Sequence, residues 1–134
     1  MGLKSLARSG TVRSVVAGLA GFLAYGGWAF YVNVAYGTAL GIRSGLVQGS
    51  YSFVLTFVST SLMELQLKVF RSTAFAGQLT IGLTILLQFV VAYGINWLAG
   101  TPEIAMTILP GFIIGSGYTI VYVVAIRRAT RSSV

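Results

Sequence analysis

Four apolar runs, each near or above the ~20 residues a helix needs to cross a hydrocarbon layer, occupy most of this 134-residue chain. They cover residues 14–36, 39–67, 78–98 and 103–126. The glycine spacing described below moves the start of the second run back from Gly45 to about Ala39. None alternates with period two, so a transmembrane barrel is not expected, and helices satisfy their own backbone groups in lipid. Only 8% of residues are charged, against about 25% in a soluble domain. A core this small could not hide so many apolar side chains from water. The expected fold is an all-α membrane protein, a bundle of four transmembrane helices. A basic segment (1–13) precedes it and a basic tail (127–134) follows.

The basic residues set the expected orientation. Lys4, Arg8 and Arg13 precede the first run, Lys68 and Arg71 separate the second from the third, and Arg127, Arg128 and Arg131 follow the fourth. With four crossings all of these share one side and only Arg43 faces the other. The positive-inside rule then puts both termini in the cytoplasm, and the expected location is a bacterial cytoplasmic (inner) membrane. Trp28, Tyr31, Tyr36 and Trp97 mark the outer boundary, and Tyr118 and Tyr122 approach the inner one. The net charge of +7 is spread between apolar runs, which points to anionic lipid as partner and not to nucleic acid. Leu6 stands where a myristoylation signal needs Ser or Thr. The first apolar run is too long for a signal peptide, so it is expected to be a retained span.

Several polar and small residues inside the spans are candidates for contacts. Gly37, Gly41, Gly45 and Gly49 recur every four residues and fall on one helix face, continued by Ser52, Thr56 and Ser59 or Thr60. Such a ridge lets another helix approach closely, within the chain, at a dimer seam or around a substrate. Gly111 and Gly115 permit a second close crossing, after Pro110 in mid-run. Thr80, Thr84, Gln88, Ala92 and Asn96 form a stripe on the third run. Gln88, near mid-membrane, must face protein or water. Arg43, at the positive end of the second helix, needs compensation from Glu103 or from a phosphate. With Asn33, Gln48, Tyr51 and Asn96 it could line an outer polar pocket, so Arg43, Gln48, Asn33, Tyr51, Gln88 and Asn96 are the expected ligand-binding residues. Glu64 is expected to pair with Lys68 at i+4. In the last link, Gly100-Thr101-Pro102-Glu103, Thr101 is expected to cap the fourth helix, with Pro102 at its first position.

The residue types argue against catalysis. The chain has no His, no Cys and no Asp, and its two carboxylates are expected on opposite membrane faces, so no enzyme, cofactor or metal site is expected. Two functions remain: a homo-oligomeric transporter or translocator of a lipid-linked or amphiphilic substrate, and a non-catalytic accessory or scaffold subunit of a larger membrane complex. The plan resembles the small multidrug resistance transporters in length and span count. It is similar to the GtrA-like proteins of polyprenyl-phosphate sugar carriers in orientation as well. The resemblance stops short of motifs: the small multidrug transporters carry an acid in helix one, and residues 14–36 contain none.

Overall fold

A computed structural model describes residues 2–132, with the backbone alone for residues 3–8. The side chains of Lys4 and Arg8, like Ser133 and Val134, lie outside the described residues. Four helices follow one another: α1 (Leu3–Asn33), α2 (Thr38–Val69), α3 (Ala76–Leu98) and α4 (Ile104–Ser132). Each is long and apolar enough to cross a membrane, and the chain is an integral membrane protein of four helices. Helix α1 runs unbroken from Leu3 through the basic residues into the first apolar run. The basic tail likewise continues α4 to Ser132. At 1.5 Å per residue the 32 residues of α2 extend about 48 Å, well beyond a ~30 Å hydrocarbon layer. The surplus turns carry the charges.

The links explain the antiparallel arrangement. A single 3-10 turn, Val34–Tyr36, follows α1, and Gly37 then takes φ 134°, a conformation that favours glycine. Gly37 is therefore a turn residue and not the first rung of the expected glycine ridge. The α3–α4 link is a Schellman closure: Thr101 N–H donates to Asn96 O (2.9 Å) and Gly100 N–H to Trp97 O (3.1 Å), with Gly100 at φ 71°. This corrects the expected cap. Thr101 closes the end of α3, and α4 starts only at Ile104, beyond Pro102. Its first carbonyl acceptor is Glu103 O, which receives Thr107 N–H at 3.0 Å. The α1–α2 and α3–α4 links lie at one end of the bundle, here the hairpin end. The termini and the α2–α3 link lie at the other, the tail end.

The interior is more polar than the exterior. Asn33, Gln48, Thr80, Thr84, Gln88, Asn96, Thr107 and Thr119 are buried, while Leu23, Leu98, Ile113 and Val121 are exposed. In water this pattern would not fold; in lipid the large apolar side chains already have their solvent. Helices α1 and α2 lie closest. A Cβ on Gly26 would stand 2.8 Å from Gly45 O, and one on Gly49 2.9 Å from Phe22 O. The ridge Gly41–Gly45–Gly49 thus packs on α1 within the chain, backbone against backbone.

Candidate functional site

Two groups of polar side chains gather inside the bundle. Those at the hairpin end are bonded to one another. Asn33 Nδ2 donates to Ala29 O (2.8 Å) and to Thr107 Oγ1 (2.7 Å), and its Oδ1 accepts the Glu103 N–H (2.9 Å). Asn96 Nδ2 donates to Gln48 Oε1 (2.8 Å) and to Ala92 O (2.9 Å), and its Oδ1 accepts Thr101 Oγ1–H (2.9 Å). Tyr36 donates its hydroxyl to the Glu103 carboxylate. Pro110 has no N–H to give the Met106 carbonyl four residues earlier, and the Trp28 indole N–H takes that acceptor at 2.8 Å. These bonds tie α1 to α4 and α2 to α3, leaving the amides of Asn33 and Asn96 occupied.

The second group surrounds a cavity of about 350 Å3 in mid-bundle, to which all four helices contribute. Gln48, Tyr51, Ser52, Thr56 and Ser59 reach it from α2, Gln88 from α3, and Tyr118 from α4. Tyr25, Leu55, Ile108, Phe112 and Ile114 supply most of the apolar wall. Gln88 donates through Nε2 to Thr119 Oγ1 (3.2 Å), and Tyr51 donates its hydroxyl to Gln88 O (3.1 Å). Gly111 and Gly115 do not serve a close helix crossing. A Cβ on Gly115 would sit 3.1 Å from Gln88 Oε1, and one on Gly111 3.8 Å from Gln48 Nε2. Gly115 leaves room for the Gln88 amide, while a Cβ on Gly111 would make ordinary contact with Tyr25 and Gln48. Among the described residues no charged side chain lines the cavity. Ala17 of α1, Thr56 of α2, and Ile114 and Tyr118 of α4 are exposed, so the cavity opens to the bundle surface among these three helices. At ~30 Å3 per water such a space holds on the order of ten waters, or a polar head group of similar bulk.

Of the six expected ligand residues, Gln48, Tyr51 and Gln88 line this cavity. Asn33 and Asn96 are spent on the hairpin-end bonds. Arg43 stands outside, exposed, its guanidinium 3.1 Å from where a Cβ on Gly100 would be. It does not pair with Glu103, whose carboxylate takes Tyr36. Its compensation is the negative end of the α3 dipole beneath Gly100. The expected Glu64–Lys68 pair is replaced too: Glu64 Oε1 accepts the Tyr122 hydroxyl at 2.6 Å, tying α2 to α4. An aromatic hydroxyl from the facing helix supplies a geometry that an exposed lysine cannot hold against its own rotamer entropy.

The sequence reading passed over Thr107, Thr119 and Gln66. Thr107, Gly111, Gly115 and Thr119 recur every four residues, the same signal that marked α3, and they form the inward face of α4. Gln66 Nε2 donates to Thr84 Oγ1 at 3.0 Å. Among the described residues no three of His, Cys, Asp and Glu come together as a metal site would require. Compared with known proteins, the chain matches no protein-family model, no curated protein and no solved structure.

Proposed function

We propose that this protein is a membrane carrier that takes an amphiphilic or lipid-linked molecule with an uncharged, hydrogen-bonding head into the mid-bundle cavity. The single observation behind this reading is the cavity itself. It presents two amides and several hydroxyls beside an apolar wall, without a charge, at a depth where any polar surface is costly. A neutral polar head meets donors and acceptors there, while its apolar part leaves through the open side among α1, α2 and α4. A cation would find no carboxylate and an anion no guanidinium.

The proposal extends to assembly and placement. The carrier works as a homo-oligomer, a second copy completing the path at the open side. Both termini face the cytoplasm of a bacterial inner membrane, in line with the distribution of Lys and Arg. The accessory-subunit reading draws on a different feature. Added Cβ atoms on Gly27, Gly82, Gly94 and Gly117 would meet nothing within 4 Å, so small residues also face outward, where a partner helix could lie.

The test is movement of a fluorescent, neutral-headed glycolipid between leaflets of reconstituted vesicles, read by chemical quenching of the outer leaflet. The carrier reading expects faster exchange than in protein-free vesicles, and a return toward that baseline for Gln48→Leu/Gln88→Leu. Exchange at the protein-free rate would leave the accessory role as the better account.

A further inference from the structure

A second cavity, of about 300 Å3, lies at the tail end between the start of α3 and the end of α4. Arg127, Arg128 and Arg131 line it with Gly77 and Gln78, and no acidic residue does. The chain has only two acidic side chains, one bonded to Tyr122 and the other at the hairpin end. Arg131 in the last turn of α4 complements that helix's dipole. Arg127 is placed differently. It lies across the first turn of α3, so that a Cβ on Gly77 would be 2.8 Å from its Cδ and 2.9 Å from a guanidinium nitrogen.

That turn is the positive end of α3. Its N-cap, Phe75, makes no side-chain cap bond. Ala76 and Leu79 N–H find turn carbonyls, Thr73 O and Phe75 O, but the N–H groups of Gly77 and Gln78 donate to no carbonyl among the described residues. A guanidinium held against two free N–H groups and a positive dipole end is an arrangement of like charges. An anion relieves it, and three arginine forks match the oxygens of a phosphoryl group. Below the arginines the pocket wall is apolar, formed by Ile81, Val123 and Val124. The apolar run of α4 ends at Ile126, which sets the pocket at the depth of phospholipid head groups.

We propose that this pocket is a phosphate-binding site, filled by the head group of an anionic membrane phospholipid, or by a free phosphate of the same chemistry. It is independent of the mid-bundle cavity and of what that cavity carries. The site binds through Arg127, Arg128 and the first turn of α3, and the glycine at position 77 is what lets Arg127 reach that turn.

The experiment is native mass spectrometry of the delipidated full chain, titrated separately with phosphatidylglycerol, phosphatidylcholine and inorganic phosphate. Two double variants, Arg127→Ala/Arg128→Ala and Lys68→Ala/Arg71→Ala, remove the same charge from the same end of the bundle. The expected result is one tightly held phosphatidylglycerol per chain, favoured over phosphatidylcholine. The arginine-pocket variant loses at least about tenfold in affinity and the Lys68/Arg71 variant is unchanged. Gly77→Val keeps every charge, displaces Arg127 and weakens binding in the same direction, which covers the case of a double variant that fails to fold. Saturable binding of inorganic phosphate instead, lost in the same variants, supports the site with a soluble occupant. Equal losses in both double variants, or no preference for phosphatidylglycerol and no phosphate binding, would overturn it.

Discussion

Replacing Asn96 with alanine removes three hydrogen bonds at once: those to Gln48 Oε1, to Ala92 O and from Thr101. Asn96 is fully buried, so no water takes its place. Only the bond to Gln48 runs between helices, where such bonds average about 0.6 kcal/mol; with the two local bonds at about 0.5–1 kcal/mol each, the three amount to about 2 kcal/mol. Gln48 Oε1 and the Thr101 hydroxyl are left without partners, and the loss of the Thr101 bond also loosens the Schellman closure. These effects raise the expected destabilisation to about 2–4 kcal/mol. The assay is reversible unfolding in mixed micelles as the fraction of denaturing detergent rises, followed by far-UV circular dichroism. A double-mutant cycle with Gln48→Leu isolates the Asn96–Gln48 bond and should return a coupling of about 0.6 kcal/mol. If Asn96→Ala unfolds within about 0.5 kcal/mol of the wild type, the hairpin-end bonds do not hold the α2–α3 pair, and the division into occupied and cavity-facing amides collapses.

The α1–α2 contact gives a paired prediction. Gly26→Ala sets a Cβ against Gly45 O and should cost about 1–3 kcal/mol. Its neighbour Gly27→Ala meets open space and should stay within about 0.5 kcal/mol of the wild type in the same unfolding assay. Trp28→Phe removes the donor to Met106 O and should cost about 0.5–1.5 kcal/mol. In a Pro110→Ala background, where the helix supplies its own N–H, the same change should cost less, and an equal cost in both backgrounds would refute that explanation. Glu64→Gln keeps an oxygen for the Tyr122 hydroxyl and should leave glycolipid exchange unaltered. A change in the pH dependence of exchange would place a proton-carrying role on that carboxylate.

Much of this arrangement was legible in the residues alone, for a physical reason. Span length and helix type follow from hydropathy and from the impossibility of open backbone in lipid, and the four spans follow from both. The stripe Thr80–Thr84–Gln88–Ala92–Asn96 was legible because four-residue spacing selects one helix face, and a polar face cannot meet lipid. What spacing cannot supply is the helix opposite. Asn33 reaches Thr107 and Glu103, some seventy positions on, and nothing local to Asn33 announces them. The i+4 spacing on α2 points Glu64 to Lys68, yet Tyr122 on α4 holds the carboxylate. For Arg43 the residues alone offer Glu103 or a phosphate, because a helix dipole from another element has no local signature. The end of α3 supplies the negative pole. Gly37 shared the spacing of the ridge without sharing its helix, since the chain turns there.

The proposed carrier takes its amphiphile into the cavity between Gln48 and Gln88. The most direct measurement is photocrosslinking with a neutral-headed lipid that carries a diazirine near its head group, followed by peptide mapping of the labelled chain. Adducts on Tyr25, Tyr51, Phe112 and Tyr118, lost in Gln48→Leu/Gln88→Leu, are the predicted result. Adducts confined to outward residues such as Leu23, Ile113 and Val121, in equal yield from both proteins, would contradict it.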